Sequence, residues 1–279
     1  MVKIVSDTTS GLPRELTERL GIPILPQIVI FGNDSYRDDT EMDTAAFLKR
    51  LKSSRTLPKT AAPPPALYNP VYQKLTANGE AVIVLAPSAK LSGTVRSAEV
   101  AAQDFPRADI RVVDTQVIAG NLATLVLLAD QWAKAGEQPD QVMAKILNWM
   151  PRQRIYFLVD TLEYLQKGGR IGGARALLGE MLQIKPILVL QNGQAEVYEQ
   201  QRTKRRALQR LTEIVEEQAP RGPESHLCVM HADAEEAARK LAADLESRMG
   251  LEGILLYELP PAIVVHAGPG TLAVGFFTA

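Results

Sequence analysis

At 279 residues the chain is long enough for two domains, or one large one, and for a sizeable core. Lysine plus arginine total 31 against 32 aspartates plus glutamates, a net charge of −1 that argues against a dedicated nucleic-acid binder. A single cysteine, Cys228, excludes an internal disulfide and any cysteine-rich metal site, and it fits a reducing cytoplasm.

Met1-Val2-Lys3-Ile4-Val5 leads at once into Ser6-Asp7, so no signal peptide is expected, and no apolar run approaches the ~20 residues of a membrane span. Val2 to Val5 reads as a first buried strand. Pro13 stands where a helix begins, and Gly21 closes it. Ile22 to Phe31 reads as a second, more alternating strand. Asp43 is placed to cap a helix carrying Phe47, Leu48 and Leu51. Residues 53–65, with Thr60 and the run Pro63-Pro64-Pro65, read as a stiff connector. A helix near Ala66 to Ala77 ends at Asn78-Gly79.

Val82 to Ala86 is a buried strand that stops at Pro87. Ser88, Ser92, Gly93 and Thr94 follow, and apolar residues at helical spacing start a helix near Ser92. Such a turn offers backbone N–H groups, a helix dipole and hydroxyls, which together suit an anion. An ordinary serine cap that binds nothing has the same sequence. Ile110 to Asp114 is another strand, and a long apolar helix runs from Ala119 to Lys134. Strands alternating with helices imply parallel βαβ units, whose ligand crevice lies beyond the carboxyl ends of the strands. Asp7, Ser88 to Thr94 and Asp114 fall at such ends.

The pattern changes at Pro151. Ile155 to Val159 is a strand, and Asn192-Gly193 joins Ile184–Leu190 and Ala195–Gln200 into a hairpin. A helix carries Leu208, Leu211, Ile214 and Val215, and another spans Ala234 to Met249. Leu227 to Met230, Ile254 to Tyr257 and Ile263 to His266 read as strands. The expected domains are therefore residues 1–151, with a parallel sheet, and 152–279, with a mixed one.

In the second half, His266 precedes Gly268-Pro269-Gly270, where backbone can approach a ligand closely. Imidazole there suits carboxylate binding or proton transfer, and equally a structural hydrogen bond. Arg202 ends the second hairpin strand, and the run Lys204-Arg205-Arg206 after it opens a helix against its dipole, which either an external anion or simple solvation accommodates. Arg170 lies between Gly168-Gly169 and Gly172-Gly173, a weak phosphate-turn signal. No G-x-x-x-x-G-K-[ST], H-E-x-x-H or G-x-S-x-G pattern occurs.

Taken together, Val5-Ser6-Asp7-Thr8-Thr9-Ser10-Gly11-Leu12-Pro13, Leu91-Ser92-Gly93-Thr94, Val159-Asp160-Thr161-Leu162-Glu163-Tyr164-Leu165 with Gly168-Gly169-Arg170-Ile171, Arg202-Thr203 and His266-Ala267-Gly268-Pro269-Gly270 resemble the DegV family, bacterial fatty-acid-binding proteins that serve fatty acid kinase. The resemblance covers essentially the whole chain. It implies a two-domain α/β fold with a fatty acid buried between or beneath the domains. It implies that Ser92 and Thr60 hold the carboxylate, with Gly93, Thr94 and His266 around it, and that Arg202, His266 and Arg170 lie near the mouth and serve phosphoryl transfer. The family's Thr-Ser-Gln-Pro-Ser loop reads Thr60-Ala61-Ala62-Pro63-Pro64 here, so one hydroxyl and one amide are missing.

The resulting expectation is a cytoplasmic, non-enzymatic carrier. It binds a long-chain fatty acid as its ligand, needs no cofactor or metal, and presents the carboxylate to a separate kinase. Two alternatives stay open. One is a serine-dependent acyl hydrolase or transferase using Ser92, His266 and Asp114. The other is a lipid sensor or store that docks a partner through the basic helix at Lys204 to Arg210.

Overall fold

In the computed structural model, which describes residues 1–179 and 184–279, four parallel strands build the first sheet. Their order is Ile24–Leu25, Val2–Asp7, Ala81–Ala86, Ile110–Asp114. Ala81–Ala86 is central and every residue in it is buried, as its unbroken apolar run requires. Burying Val82, Ile83, Val84 and Leu85 contributes on the order of 6–12 kcal/mol gross. Tyr68 and Tyr72 of helix Pro65–Thr76 join Ala98 and Ala101 of helix Thr94–Ala102 and pack on Val5, Val82 and Val84. Helix Ala119–Lys134 lies against Val2–Asp7 and Ala81–Ala86 and is buried along most of its length.

The early helix has the predicted limits, Arg14–Leu20, with Pro13 before it and Gly21 closing it at φ 74°. The segment Ile22 to Phe31 is not one strand. Pro26 interrupts it: Ile24–Leu25 joins the parallel sheet, and Ile28–Phe31 joins a separate antiparallel sheet with Asp34–Arg37 and Lys59–Ala61. That third strand lies in the proline-rich stretch expected to be only a connector. Its backbone pairs with Ile28–Ile30, opposite Thr60 at Val29.

The second large sheet has six strands in the order Gln194–Gln201, Lys185–Gln191, Gln153–Leu158, Leu272–Phe277, Cys228–His231, Leu255–Glu258. Neighbours are antiparallel except Cys228–His231 and Leu255–Glu258, so the sheet is mixed. The Asn192-Gly193 hairpin forms as expected, with φ of 50° and 77° at the two turn residues. Helices Lys204–Gln218 and Glu235–Met249 cover one face through Leu211, Ile214, Val215, Leu241 and Leu245. Leu162, Leu165, Ile171 and Leu177 form a second apolar cluster with Leu188.

Ile263 to His266 is not a strand. Residues Pro261–Ala267 form a short helix with Pro260 before it, and Pro261 at its first position suits a helix start. The strand that fills this place in the sheet is Leu272–Phe277, wholly buried.

Contacts within the chain divide it into two units, Met1–Asp43 with Pro58–Pro151, and Thr44–Leu57 with Arg152–Ala279. The main break thus follows Pro151. Helix Thr44–Ser53, early in sequence, clusters with the later half. Phe47, Leu48 and Leu51 on it are buried, it contacts helix Pro261–Ala267, and Lys52 Nζ lies 2.7 Å from Asp233.

Candidate functional site

The carboxyl ends of the parallel strands do share one rim in the first unit. Strand Val2–Asp7 delivers Asp7 there, fully buried. Ala81–Ala86 delivers the turn Ser88 to Gly93, and helix Thr94–Ala102 starts at its end. The helix begins at Thr94, two residues later than expected, with Gly93 as its capping position and no side-chain cap. Asp114 Oδ1 accepts from the amides of Ala89, 3.1 Å, and Gln116, 3.0 Å, which ties the neighbouring turns together.

Beneath Ser92 lies a chain of polar groups. Ser92 Oγ is 2.9 Å from Thr94 Oγ1 and accepts from Thr94 N at 3.3 Å. Thr94 Oγ1 is 2.9 Å from Asp7 Oδ2. Gln27 Nε2 donates to both, at 2.6 Å to Asp7 Oδ2 and 2.9 Å to Thr94 Oγ1. Asp7 Oδ1 accepts from the amide of Thr9 at 2.9 Å and from its hydroxyl. Thr8 Oγ1 donates to Asp38 Oδ1 at 2.8 Å and accepts from the Gln27 amide at 3.1 Å. Asp38 Oδ2 and the Tyr68 hydroxyl are buried without a hydrogen-bond partner among the described residues.

Two carboxyls held in so little water titrate abnormally. Burial raises Asp7 above the usual carboxylate range, although the bonds from Thr9, Thr94 and Gln27 pull it back. Burial pushes Asp38 up to about 7, and the nearby Asp7 adds to the effect, while Thr8 opposes it. Burial likewise raises the Tyr68 hydroxyl, with Asp7 adding to it.

Ser92 is partly exposed and Thr94 is buried, so the chain runs from the rim inward. Thr60 is partly buried on its short strand, and a Cβ on Gly93 would lie 3.6 Å from Ala62 Cβ, so the proline-rich segment borders the Ser92-Gly93-Thr94 turn. Asp7, Ser92, Gly93 and Thr94 were legible as candidates. Gln27, Asp38 and Tyr68 were not: nothing in a single polar or aromatic position signals that its side chain turns inward.

The second unit holds the other candidates. His266 lies in the last turn of helix Pro261–Ala267, its ring packed against Gly168, where an added Cβ would meet Nδ1 at 2.2 Å. Arg170 Nη1 donates to the Gly168 carbonyl at 2.6 Å. Burial pulls His266 down to about 4, and the Arg170 charge adds to this, so the ring is neutral near pH 7. Burial also lowers Arg170. Gly268 sits against the Tyr164 ring, where a Cβ would come within 2.5 Å, and Gly270 against Asp160, within 2.0 Å. Asp160 in turn accepts from Lys204 Nζ at 2.7 Å. Gly172 and Gly173 serve close packing on the hairpin strand: a Cβ would meet the Ala195 carbonyl at 2.1 Å and the Glu196 carboxylate at 1.8 Å. Arg202 does not enter the His266 cluster; it is exposed on the turn before helix Lys204–Gln218, which Thr203 caps through the Arg206 amide at 3.2 Å. Arg210, at the far end of the basic run, is held by Glu199 and Glu217.

One unit with a parallel sheet ending in a hydroxyl-rich turn, and another with a mixed sheet and a histidine packed on a glycine turn, define a two-unit α/β protein. The chain belongs to the DegV family, whose model, described as "Uncharacterised protein, DegV family", matches residues 1–279. A DegV domain-containing protein of Streptomyces coelicolor is 38% identical over 98% of this chain and 97% of its own length. A DegV family protein of Thermus thermophilus, described for its fatty acid binding, superposes with a TM-score of 0.91 at 32% identity, covering 100% of this chain and 99% of that one. DegV of Bacillus subtilis, described as a fatty acid binding protein, superposes with a TM-score of 0.88 at 29% identity, covering 100% and 99%. Among the described residues, no helix is long and apolar enough to cross a membrane.

Proposed function

We propose that this protein is a cytoplasmic, non-enzymatic carrier that binds a long-chain fatty acid and presents its carboxylate to a separate ATP-dependent fatty acid kinase. The observation that supports it most is the Ser92-Gly93-Thr94 turn at the end of a parallel sheet, in a chain similar throughout to fatty-acid-binding proteins. Burying an acyl chain is worth ~0.8 kcal/mol per methylene, so a tail of ~16 carbons offers on the order of 12 kcal/mol before ordering costs. The carboxylate withdrawn with it needs hydrogen bonds. In this reading Ser92 and Thr60 provide them, with the amides around Gly93 and Thr94. His266, Arg170 and Arg202 face the kinase and offset the negative charge of the acyl phosphate as it forms. The absence of a phosphate-binding G-x-x-x-x-G-K-[ST] loop from the sequence supports leaving ATP to the partner.

The hydrolase alternative loses support from Asp114, one carboxylate oxygen of which is taken up by two backbone amides. The test is extraction of the purified protein with organic solvent and mass spectrometry of the lipid. A stoichiometric fatty acid, weakly retained in Ser92→Ala, is expected. An empty extract followed by failure to bind added fatty acids overturns the reading. Mixing the loaded protein with a fatty acid kinase and ATP is expected to yield acyl phosphate, and Arg202→Ala or His266→Ala to impair that step more than binding. A loaded protein that no such kinase uses overturns the partnership alone.

A further inference from the structure

Thr94 Oγ1 has three polar neighbours and only one proton. Gln27 Nε2 can only donate, so it occupies one lone pair. One proton and one lone pair remain, to be divided between Asp7 Oδ2 and Ser92 Oγ, each 2.9 Å away. Ser92 Oγ already accepts from the Thr94 amide, so it too has one lone pair and one proton to direct. On Asp7, Oδ1 accepts from the amide and hydroxyl of Thr9 and Oδ2 accepts from Gln27 Nε2, so with those bonds kept an added proton sits on Oδ2 and points to Thr94.

With the Thr9 and Gln27 bonds held as they stand, two arrangements remain. With Asp7 ionised, Thr94 donates to Asp7, Ser92 donates to Thr94, and Ser92 shows a lone pair to the rim. With Asp7 neutral, Asp7 donates to Thr94, Thr94 donates to Ser92, and Ser92 shows its proton to the rim. Only the second can hydrogen-bond a carboxylate; the first repels it and suits a neutral acid.

We propose that Asp7 holds a proton in the ligand-bound protein and, through Thr94, turns the Ser92 hydroxyl outward as a donor to the ligand carboxylate. Asp7 is thus a positioning residue. The proton comes from solvent and rests on Asp7 Oδ2; Ser92 and Thr94 keep their own protons and only reverse their direction. The surroundings favour this state. Asp7 is fully buried, which disfavours its charge, and the titratable groups near it are Asp38, bonded to Thr8, whose own charge would oppose one on Asp7, and Tyr68 on helix Pro65–Thr76, which stays neutral. No cation acts on Asp7 among the described residues. The inference rests on the carrier reading and adds where the proton resides.

The experiment uses the full chain and palmitate labelled with carbon-13 at the carboxyl. Infrared spectra of the loaded wild type and loaded Asp7→Asn are compared, the label distinguishing ligand bands from protein bands. The ligand is expected to absorb as a carboxylate, and the wild type to show a neutral-acid carbonyl band, shifted in deuterated water, that Asp7→Asn loses and Asp38→Asn keeps. A label-shifted neutral-acid band, placing the proton on the ligand, overturns the relay, as does a protein band indifferent to Asp7→Asn. Thr94→Val serves where Asp7→Asn does not fold. It and Ser92→Ala are each expected to weaken palmitate binding by about tenfold or more, and the double variant no further than either. Losses that multiply overturn the relay. A wild type that takes up no palmitate overturns the relay and the carrier reading together.

Discussion

Replacing Asp38 by asparagine removes one titration from a buried carboxyl pair, and its effect on stability has a definite pH signature. The folded carboxyl titrates at about 7 because of burial, while the unfolded one titrates near its ordinary value of 3.8. Below the unfolded value both states are protonated and the group costs nothing. As the pH rises from there, the unfolded chain releases a proton that the folded chain retains, and stability falls by about 1.4 kcal/mol per pH unit. Above the folded value the loss levels off at about 4 kcal/mol. From about pH 5 to about pH 7 the wild type should therefore lose roughly 2 kcal/mol at this one position, the slope having halved where the folded carboxyl reaches its own midpoint. Asparagine keeps an acceptor for Thr8 and carries no charge, so that share of the slope should vanish. Urea unfolding of both proteins at several pH values in this window gives the difference directly. Parallel pH profiles, agreeing within about 0.5 kcal/mol, would refute the assigned environment of Asp38.

Other expectations concern the second unit and the core. The His266 ring should remain neutral down to about pH 5, since burial and Arg170 hold it near 4; an NMR titration showing protonation near 6.5 contradicts this. Gly168→Ala puts a methyl group into Nδ1 of His266 and within 2.9 Å of the Tyr164 carbonyl, so it should shift that NMR signal and destabilise by about 1–3 kcal/mol in urea unfolding. Gly172→Ala meets a backbone carbonyl from a φ of 51°, a combination with no flexible neighbour to yield, and should cost about 3 kcal/mol or more. Leu122→Ala, at a fully buried position of the long helix, should cost roughly 2–5 kcal/mol in the same assay.

How far the sequence disclosed these features follows from the kind of information each needs. Strand Ile110–Asp114 and helix Ala119–Lys134 were readable to the residue because their limits coincide with changes in apolar pattern. Ile263 to His266 was misread because a short apolar run fits helix and strand alike; Pro261 was the clue that favoured the helix. Pro26 held the same kind of clue for the broken segment at Ile24 to Phe31. The rim containing Asp7, Ser92 and Thr94 was legible from topology, since parallel strands end on one side. Gln27 was not: its bond to Asp7 spans 20 residues, and alternation assigns a lone polar side chain to solvent by default. The pairing of helix Thr44–Ser53 with the later unit depends on contacts across the sequence, which no local pattern encodes.

That helix has a consequence for synthesis. Phe47, Leu48 and Leu51 leave the ribosome early, yet the helix Pro261–Ala267 that they accompany is made roughly 200 residues later. At about 5–20 residues per second, the nascent chain carries that apolar face for on the order of 10–40 seconds before its partners exist. A chaperone that shields nascent chains should therefore engage this chain soon after residue 53 emerges. Residues 152–279 expressed alone should need Thr44–Leu57 supplied in trans to fold.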